Sequence, residues 1–189
     1  MYIFVYMITY TKDVLLKANI GDWIYGTPTI YPPLEEKVKI GKFCSIADGV
    51  FFSFAANHSL SSITTYPFDG LQSEGWPCVS TIDCEAYKPI IIENDVWIGR
   101  QAIIVQGSTI SNGCIIGAFS VVRGYIPPYS VVIGNPAQII KKRFSDHHIN
   151  LLLEIQWWNW SIDEIKKNLQ IIFNNDVFKL YEIYVNSIK

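Results

Sequence analysis

The chain has 189 residues, which is enough for one domain with a sizeable core. Half of the residues are hydrophobic and 17% are charged, so the composition excludes an intrinsically disordered protein. The formal net charge of -2 provides no overall basic field, which argues against a nucleic-acid-binding protein.

The N-terminal segment is apolar and rich in β-branched and aromatic residues. MYIFVYMITY is too short to span a bilayer, and it lacks the basic start and the cleavage site of a signal peptide. It therefore predicts a strand in a soluble, cytoplasmic protein. Residues 20–25 look like one unit of the repeat that follows, and the three prolines and the glycine of residues 26–33 predict turns.

Aliphatic residues then recur in steps of six, in two blocks. A unit of six residues cannot bury its apolar face alone, so this period predicts a β-solenoid of stacked units. Three units would close one triangular coil, which gives about one coil for residues 34–51 and about two for residues 92–127. The repeating positions are Leu34, Ile40 and Ile46, followed by Ile92, Ile98, Ile104, Ile110, Ile116 and Val122.

Two kinds of residue are expected at the corners of the coils. Gly41, Gly99, Gly117 and Asp48 are expected to turn the chain, because glycine and aspartate tolerate left-handed dihedrals. A small or apolar residue follows each aliphatic position by four places. Two of the four cysteines, Cys44 and Cys114, occupy this slot, so we expect them to be buried as small hydrophobes. Cys78 and Cys84 lie between the blocks, and their spacing leaves free and paired states open.

The period is interrupted once and then ends. Residues 52–89 are an insertion, since the distance from Ile46 to Ile92 is not a multiple of six, and long insertions of this kind are often functional. From Ser145 the period is helical, with Ile149, Leu152, Leu153 and Gln156 on one face. A second helix is predicted after Ser161, which forms a capping box with Glu164, and residues 177–189 give a weaker signal for a third. We therefore predict a β-helix domain at 1–143 and a helical extension at 144–189.

Several motifs in combination resemble one protein family. They are IGKFCSIADGV (40–50), NHS (57–59), TYPF (65–68), IENDVWIG (92–99), IGAFSVV (116–122), IPPYSVVIGNPAQIIKKRF (126–144) and LLEIQWWNWS (152–161). The chain is similar over roughly residues 20–173 to the hexapeptide-repeat acetyltransferases. Within them it resembles the branch that includes chloramphenicol and streptogramin acetyltransferases and enzymes acting on bacterial surface sugars.

This resemblance implies a mainly β protein, a left-handed parallel β-helix with an inserted loop and C-terminal helices. It also implies transfer of an acetyl group from acetyl-CoA to a hydroxyl or amino group. Members are typically homotrimers with active sites between adjacent prisms, and the long loop forms part of the walls.

The resemblance also suggests the catalytic residue. His58, in the NHS motif, matches the family's catalytic histidine, and an imidazole with an ordinary pKa of about 6.5 suits a general base at neutral pH. We expect His58 to deprotonate the acceptor directly, without a covalent enzyme intermediate. His147 and His148 are expected to be surface or helix-terminus residues.

The same resemblance implies which residues contact CoA. Trp97 is expected to wall the pantetheine, and the small Gly117 and Ala118 to let it lie close to the prism. The cluster of Lys141, Lys142 and Arg143 is expected to pair with phosphate groups. The predicted cofactor residues are Trp97, Arg100, Gly117, Ala118, Arg123, Lys141 and Lys142.

Residues for the acceptor are assigned by location alone. The insertion offers aromatic and polar side chains that suit sugar rings and drug rings alike. The candidates are Tyr31, Asn57, Tyr66, Asp69 and Trp76. Trp157, Trp158 and Trp160 match the family's C-terminal helical segment, so we interpret them as packing against the prism.

The leading hypothesis is an acetyltransferase for a sugar or a nucleotide-linked amino sugar in lipopolysaccharide or capsule biosynthesis. It is favoured because GDWIYGTP, at residues 21–28, departs from the entry segment of the antibiotic-modifying members. The alternative is a chloramphenicol or streptogramin O-acetyltransferase. A metal-dependent lyase on this prism would need three histidine ligands, and only His58 lies near the coils, so no metal is predicted. A scaffold without activity is disfavoured by the intact His58 and IGAFSVV.

Overall fold

The computed structural model describes residues 11–13, 15–54, 58, 62–77 and 87–187, without the side chains of Lys12 and Asp69. Three sequence-based predictions lie outside these residues: the strand at 1–10, the role of Asn57, and the state of Cys78 and Cys84. Short 3-10 helices occur at Thr11–Asp13, Glu35–Lys37, Phe68–Glu74 and Trp157–Asn159.

Strands of two to six residues make up the repeat region. In chain order they are β1 (Asn19–Ile20), β2 (Thr29–Tyr31), β3 (Val38–Ile40), β4 (Ser45–Ile46), β5 (Phe51–Ser53), β6 (Ile90–Ile92), β7 (Trp97–Ile98), β8 (Ile103–Val105), β9 (Thr109–Ile110), β10 (Ile115–Ile116), β11 (Val121–Val122), β12 (Tyr125–Ile126), β13 (Ser130–Gly134) and β14 (Ala137–Lys142).

The strands form three sheets, which are the three faces of a prism. Face I contains β1, β3, β6, β9 and β12, face II contains β4, β7, β10, β13 and β14, and face III contains β2, β5, β8 and β11. All pairings are parallel except that of β13 with β14. The chain visits faces I, II and III in turn, so a coil closes after three strands. The predicted left-handed parallel β-helix with C-terminal helices is confirmed.

The predicted repeat positions from Ile40 onward stack inside the prism, whereas Leu34 is only partly buried and precedes a 3-10 helix. Ile92 pairs with Ile110 on face I, Ile98 with Ile116 on face II, and Ile104 with Val122 on face III. Each of these side chains is at most 1% exposed, and full burial of such a side chain stabilises the fold by about 1.5–3 kcal/mol. Phe52, six residues after Ile46, is also buried and pairs with Ile104. The first block of the repeat therefore extends by one more inward position, in β5.

At the corners of the coils, the prediction of left-handed dihedrals at four positions is wrong. Gly41, Gly99 and Gly117 do not have left-handed dihedrals, and neither does Asp48. These glycines are required by close approach instead: a Cβ on Gly99 would lie 2.6 Å from the backbone nitrogen of Ala118. Left-handed residues occur three places after the inward aliphatic residue, and they include non-glycine residues. They are Trp23, Phe43, Gly49, Asp95, Gln101, Gly107, Gly113, Phe119 and Tyr129.

The buried cysteines match their prediction. Cys44 and Cys114 are inaccessible to solvent, and their thiols donate to the carbonyl oxygens of Glu93 and Pro127, each at 3.0 Å. Burial raises the pKa of Cys44 to about 12 and that of Cys114 to about 11.

Three helices follow the prism. They are α1 (Asp146–Ile155), α2 (Ile162–Phe173) and α3 (Val177–Ser187). Ser145 and Ser161 cap the first two, since their hydroxyls accept from the backbone N–H groups of His148 and Glu164 at 3.3 and 3.2 Å. Ile149 and Leu152 are buried as predicted. Gln156 is exposed and ends α1 in a left-handed conformation, so Ile155 completes the apolar face instead.

The helical extension packs against one corner of the prism. The ring of Trp157 lies 4.9 Å from that of Phe43, which stacks in turn on Trp23. Lys42 donates to Asn159 at 3.4 Å, and Trp158 is 3% exposed. The tryptophans of this segment therefore pack as predicted. His147 and His148 lie in the first turn of α1, around the ring of Phe178.

Candidate active site

His58 lies in the insertion between β5 and β6 and is exposed. Its Nδ1 atom lies 2.5 Å from the carbonyl oxygen of Thr65. A carbonyl oxygen can only accept, so this contact requires a proton on Nδ1, and in the neutral ring Nε2 then holds the free lone pair. The contact therefore selects the neutral tautomer in which Nε2 is able to accept a proton.

Two predicted acceptor residues, Tyr66 and Trp76, belong to one row of aromatic rings in the same insertion. The ring of Tyr66 lies 4.8 Å from that of Phe68, and Phe68 stacks on Trp76 at 5.1 Å. Tyr66 and Trp76 are each about half-exposed at the ends of this row. Because Tyr66 follows Thr65 directly, the aromatic row and the ring of His58 are held by neighbouring residues. Phe68 was not among the residues predicted for the acceptor, although its position in the TYPF motif could have indicated it.

The remaining acceptor candidates are placed differently. Tyr31 ends β2, is 62% exposed, and lies at the corner between faces III and I, from which the insertion also departs. The backbone of Asp69 lies in the 3-10 helix Phe68–Glu74.

Two of the predicted CoA residues share the outer side of face II. Trp97 is 54% exposed and pairs with Ile115, which pairs with Val131, which pairs with Lys141. Residues directly opposite each other in a sheet point to the same side. Trp97 and Lys141 therefore lie on one outward row of face II, with the apolar side chains of Ile115 and Val131 between them.

Three other predicted CoA residues lie at the corner between faces II and III. Arg100 follows β7, and Gly117 and Ala118 follow β10. Gly117 lies against Ile133, since a Cβ there would be 2.5 Å from Cγ2 of Ile133. Packing against Ile133 accounts for the lack of a side chain at Gly117, and the role of Gly117 and Ala118 toward CoA stays a prediction.

Arg123 is separated from this group. It follows β11 of face III and therefore lies at the corner between faces III and I, with Tyr31 and the insertion. Face II, which carries Trp97 and Lys141, is the side of the prism opposite that corner. The predicted CoA residues consequently fall into two sets within one chain.

The basic cluster is divided among three different environments. Lys142 forms an ion pair with Asp146. Arg143 donates from Nη1 to the carbonyl oxygen of Gly113 at 2.7 Å and to Oδ2 of Asp95 at 3.2 Å. Lys141 is exposed and makes no ion pair within the described part of the chain. Burial raises the pKa of the Asp95 carboxyl, an effect that the Arg143 guanidinium only partly offsets.

Two absences concern the described residues. Among them, no three histidine, cysteine, aspartate or glutamate side chains are grouped as a metal site requires. Nor does any helix of this part of the chain have the length and apolar character needed to cross a bilayer.

Comparison with known proteins bears on the chemistry of the site. A family model described as "Bacterial transferase hexapeptide (six repeats)" matches residues 89–124. The chain is 48% identical over 145 residues to a "Probable macrolide acetyltransferase" of Lysinibacillus sphaericus, over 75% of this chain and 80% of the relative. It is 39% identical over 155 residues to a chloramphenicol acetyltransferase of Klebsiella aerogenes, over 79% of this chain and 72% of the relative.

A third relative is an Escherichia coli O-acetyl transferase whose name assigns it to lipopolysaccharide biosynthesis. It is 37% identical over 108 residues, which cover 57% of this chain and 51% of the relative. With relatives this similar over most of their length, the chain belongs to the hexapeptide-repeat acetyltransferase family and is an acyltransferase that uses acetyl-CoA.

Proposed function

We propose that this enzyme transfers an acetyl group from acetyl-CoA to a hydroxyl group of an antibiotic of the chloramphenicol, macrolide or streptogramin type. The observation that carries the proposal is the identity of 48% and 39% to relatives named for antibiotics, over 80% and 72% of their length. The relative named for a surface sugar matches over 51% of its length. The comparisons therefore favour the alternative over the surface-sugar acetyltransferase that the sequence analysis placed first.

The chemistry proposed for His58 follows from its tautomer. Nδ1–H donates to Thr65, and Nε2 accepts the proton of the acceptor hydroxyl as that oxygen attacks the acetyl carbon. The new carbon–oxygen bond forms and the carbon–sulfur bond breaks. His58 then returns the proton from Nε2 to the departing sulfur, so that CoA leaves as the thiol and the base is restored.

The proposed acceptor site is the aromatic row beside this base. Tyr66 and Trp76 present half-exposed rings on either side of Phe68, and such rings bind flat or apolar parts of a ligand. A drug with a large apolar body would bury more of these rings than a sugar would. The row is thus better suited to an antibiotic than to a nucleotide-linked sugar.

We also propose that the active site lies between subunits of a homotrimer. His58 is four residues beyond the buried Phe54, and four residues span at most about 14 Å. One side of the prism, with six residues, is roughly 20 Å long. His58 is therefore too far from the outer row of face II in its own chain, and a neighbouring prism must bring that row to it.

An acceptor panel tests the reaction. Chloramphenicol, a streptogramin A, a macrolide and a nucleotide-linked amino sugar are each incubated with acetyl-CoA, and thiol release is measured. We expect kcat/KM for at least one antibiotic to exceed that for the sugar by about a hundredfold or more. A higher kcat/KM for the sugar would contradict the proposal.

The matched variants His58→Ala and His148→Ala test the base. His58→Ala is expected to lower kcat by about 10²–10⁴, because the acceptor loses its general base. His148→Ala, which removes an imidazole from α1, is expected to retain wild-type kcat. Full activity of His58→Ala with unchanged oligomeric state would exclude the assignment.

A further inference from the structure

Arg143 joins three successive coils at one corner of the prism. Its Nη1 atom binds Asp95 and the carbonyl oxygen of Gly113, and its backbone N–H donates to the carbonyl oxygen of Tyr129 at 2.8 Å. The guanidinium carbon lies 5.4 Å from the ring centre of Tyr129 and 5.3 Å from that of Phe144. With its side chain 29% exposed and held on several sides, Arg143 is poorly placed to bind a phosphate itself.

The strand that precedes Arg143 has little other support. Among the described strands, β14 is the edge strand of face II and has β13 as its one partner. The register of that pairing shifts between Val131 and Val132, and Val131 is the residue opposite Lys141. Edge strands with irregular pairing open more readily than central ones. The position of Lys141 therefore depends on what anchors the end of β14.

The anchor connects the two strands that carry predicted CoA residues. Asp95 stands two residues before Trp97 on β7, and Arg143 stands two residues after Lys141 on β14. Two strands, β10 and β13, separate β7 from β14, so the two strands are about 14 Å apart. The Arg143–Asp95 pair thus sets the position of Lys141 relative to Trp97.

We propose that Arg143, together with Asp95, is a positioning residue for the acetyl donor: the pair holds Lys141 at the end of the face II row, where Lys141 binds a phosphate group of CoA. The inference rests on the proposed function, in which face II receives the donor. It reassigns Arg143 from phosphate ligand to support, and it leaves Lys141 as the ligand of the cluster.

The test is a double-mutant cycle on KM for acetyl-CoA in the intact enzyme. Lys141→Met and Arg143→Met are each expected to raise KM about tenfold with kcat within about twofold of wild type, the size of one lost charge-assisted hydrogen bond. KM of the double variant is expected to be no higher than that of the single variant with the higher KM, because both changes remove the same contact. Asp95→Asn is expected to raise KM in the same direction. Lys166→Met, which removes an exposed lysine of α2, is the control for loss of one positive charge.

Four outcomes would overturn the inference. Additive effects of Lys141→Met and Arg143→Met would show that Arg143 acts on the donor independently. A lower KM in Asp95→Asn would show that a released Arg143 binds phosphate. An unchanged KM in Lys141→Met would remove the proposed ligand. A fall in kcat and Tm of Arg143→Met, with KM unchanged there and in Arg143→Lys, would show a purely structural role.

A second donor locates the contact. With 3′-dephospho-acetyl-CoA as donor, KM of each single variant is compared with KM of the wild-type enzyme for the same donor. Equal KM values support a contact to the 3′-phosphate, and a higher KM in both variants supports a contact to the diphosphate. A divergence between the two variants contradicts their common action. Failure of the proposed function would be recognised separately, since the wild-type enzyme would then have a higher kcat/KM for the nucleotide-linked amino sugar than for any antibiotic, and KM for acetyl-CoA could still be measured with that sugar.

Discussion

Burial of the thiols of Cys44 and Cys114 makes the fold less stable as the pH becomes alkaline. Their pKa values are raised to about 12 and about 11 in the fold, from 9.0 for a free thiol. A raised folded-state pKa contributes stability that is fully present below pH 9 and is lost as pH rises, because the unfolded chain then binds fewer protons than the folded one. Between pH 9 and its own raised pKa, each thiol therefore lowers the free energy of unfolding by roughly 1 kcal/mol per pH unit.

Cys114→Ser isolates one of these contributions. Serine occupies the equivalent slot at Ser108 and Ser120, so the variant is expected to fold. Its free energy of unfolding, measured by urea denaturation, should fall less steeply than that of wild type between pH 9.5 and pH 10.5, by about 1 kcal/mol over that interval. Equal slopes would contradict burial of the thiol. Peptide mapping after alkylation at pH 8 should leave Cys44 and Cys114 unlabelled in the native protein.

Gly99 and Gly117 provide a matched pair of corner substitutions. A Cβ on Gly99 would lie 2.6 Å from the backbone nitrogen of Ala118, which cannot move without breaking the coil. A Cβ on Gly117 would lie 2.5 Å from Cγ2 of Ile133, an atom of a side chain that is 44% exposed and not of the backbone. We expect Gly99→Ala to lower the free energy of unfolding by about 1–3 kcal/mol and Gly117→Ala by less than about 1 kcal/mol. Equal losses in thermal or urea unfolding would contradict this account.

The corners also show what residue type does and does not reveal. The period of six identified every inward position from Ile92 to Val122, because burial selects aliphatic residues. It did not identify the left-handed positions, since Phe43 and Phe119 occupy them although such dihedrals are disfavoured for residues with a Cβ. The packing of neighbouring coils imposes these conformations, and no local sequence preference marks them.

At the scale of elements, the inserted loop presents the aromatic row of Tyr66, Phe68 and Trp76. Phe68→Ala is expected to separate the outer rings and to raise KM for the acceptor about 3- to 30-fold, the equivalent of one or two lost ring contacts. KM for acetyl-CoA should not change. Ile63→Ala, at a fully exposed position of the same loop, is the control. A rise in KM for acetyl-CoA alone would show that the row serves the donor instead.

Elements with a local signal were predictable and the others were not. Ser145 and Ser161 marked helix starts, because a hydroxyl before an apolar period satisfies free N–H groups. The hairpin of β13 and β14 was not foreseen, since it continues the chain without the period of six. For the same reason Lys141, Lys142 and Arg143 were treated as one cluster, whereas a strand followed by a turn sends neighbouring side chains in different directions.

At the scale of the whole molecule, the positions of His58 and face II determine how many chains a site needs. The insertion leaves the prism at the corner between faces III and I, and Trp97 and Lys141 lie on the opposite side. In the proposed mechanism, a single chain therefore presents its base at one edge of the prism and its donor surface at another. The proposed trimer would bring the base of each chain to the donor surface of its neighbour, since cyclic symmetry joins unlike surfaces in a closed ring.

Mixed oligomers test this arrangement. One chain carries His58→Ala, and a second carries both Trp97→Ala and Lys141→Met, so that neither homotrimer has an intact site. If sites form between chains and the two assemble at random, about a quarter of the sites in a mixed population pair a native His58 with a native face II. We expect co-expressed chains, purified through two different tags so that both homotrimers are removed, to recover about a third of wild-type activity, because every mixed trimer then has one such site among its three.

A control mixture fixes the scale of this experiment. Wild-type chains mixed equally with His58→Ala chains should give about half of the wild-type activity, because only the base is lost. Mixing the two defective homotrimers after purification, and assaying at an acetyl-CoA concentration far below the raised KM, should give only their low residual activity unless subunits exchange. If co-expression restores nothing while the wild-type control gives half, each site must be built within one chain. The 14 Å reach estimated for His58 would then be too short, and the loop would have to extend around the prism to its own face II.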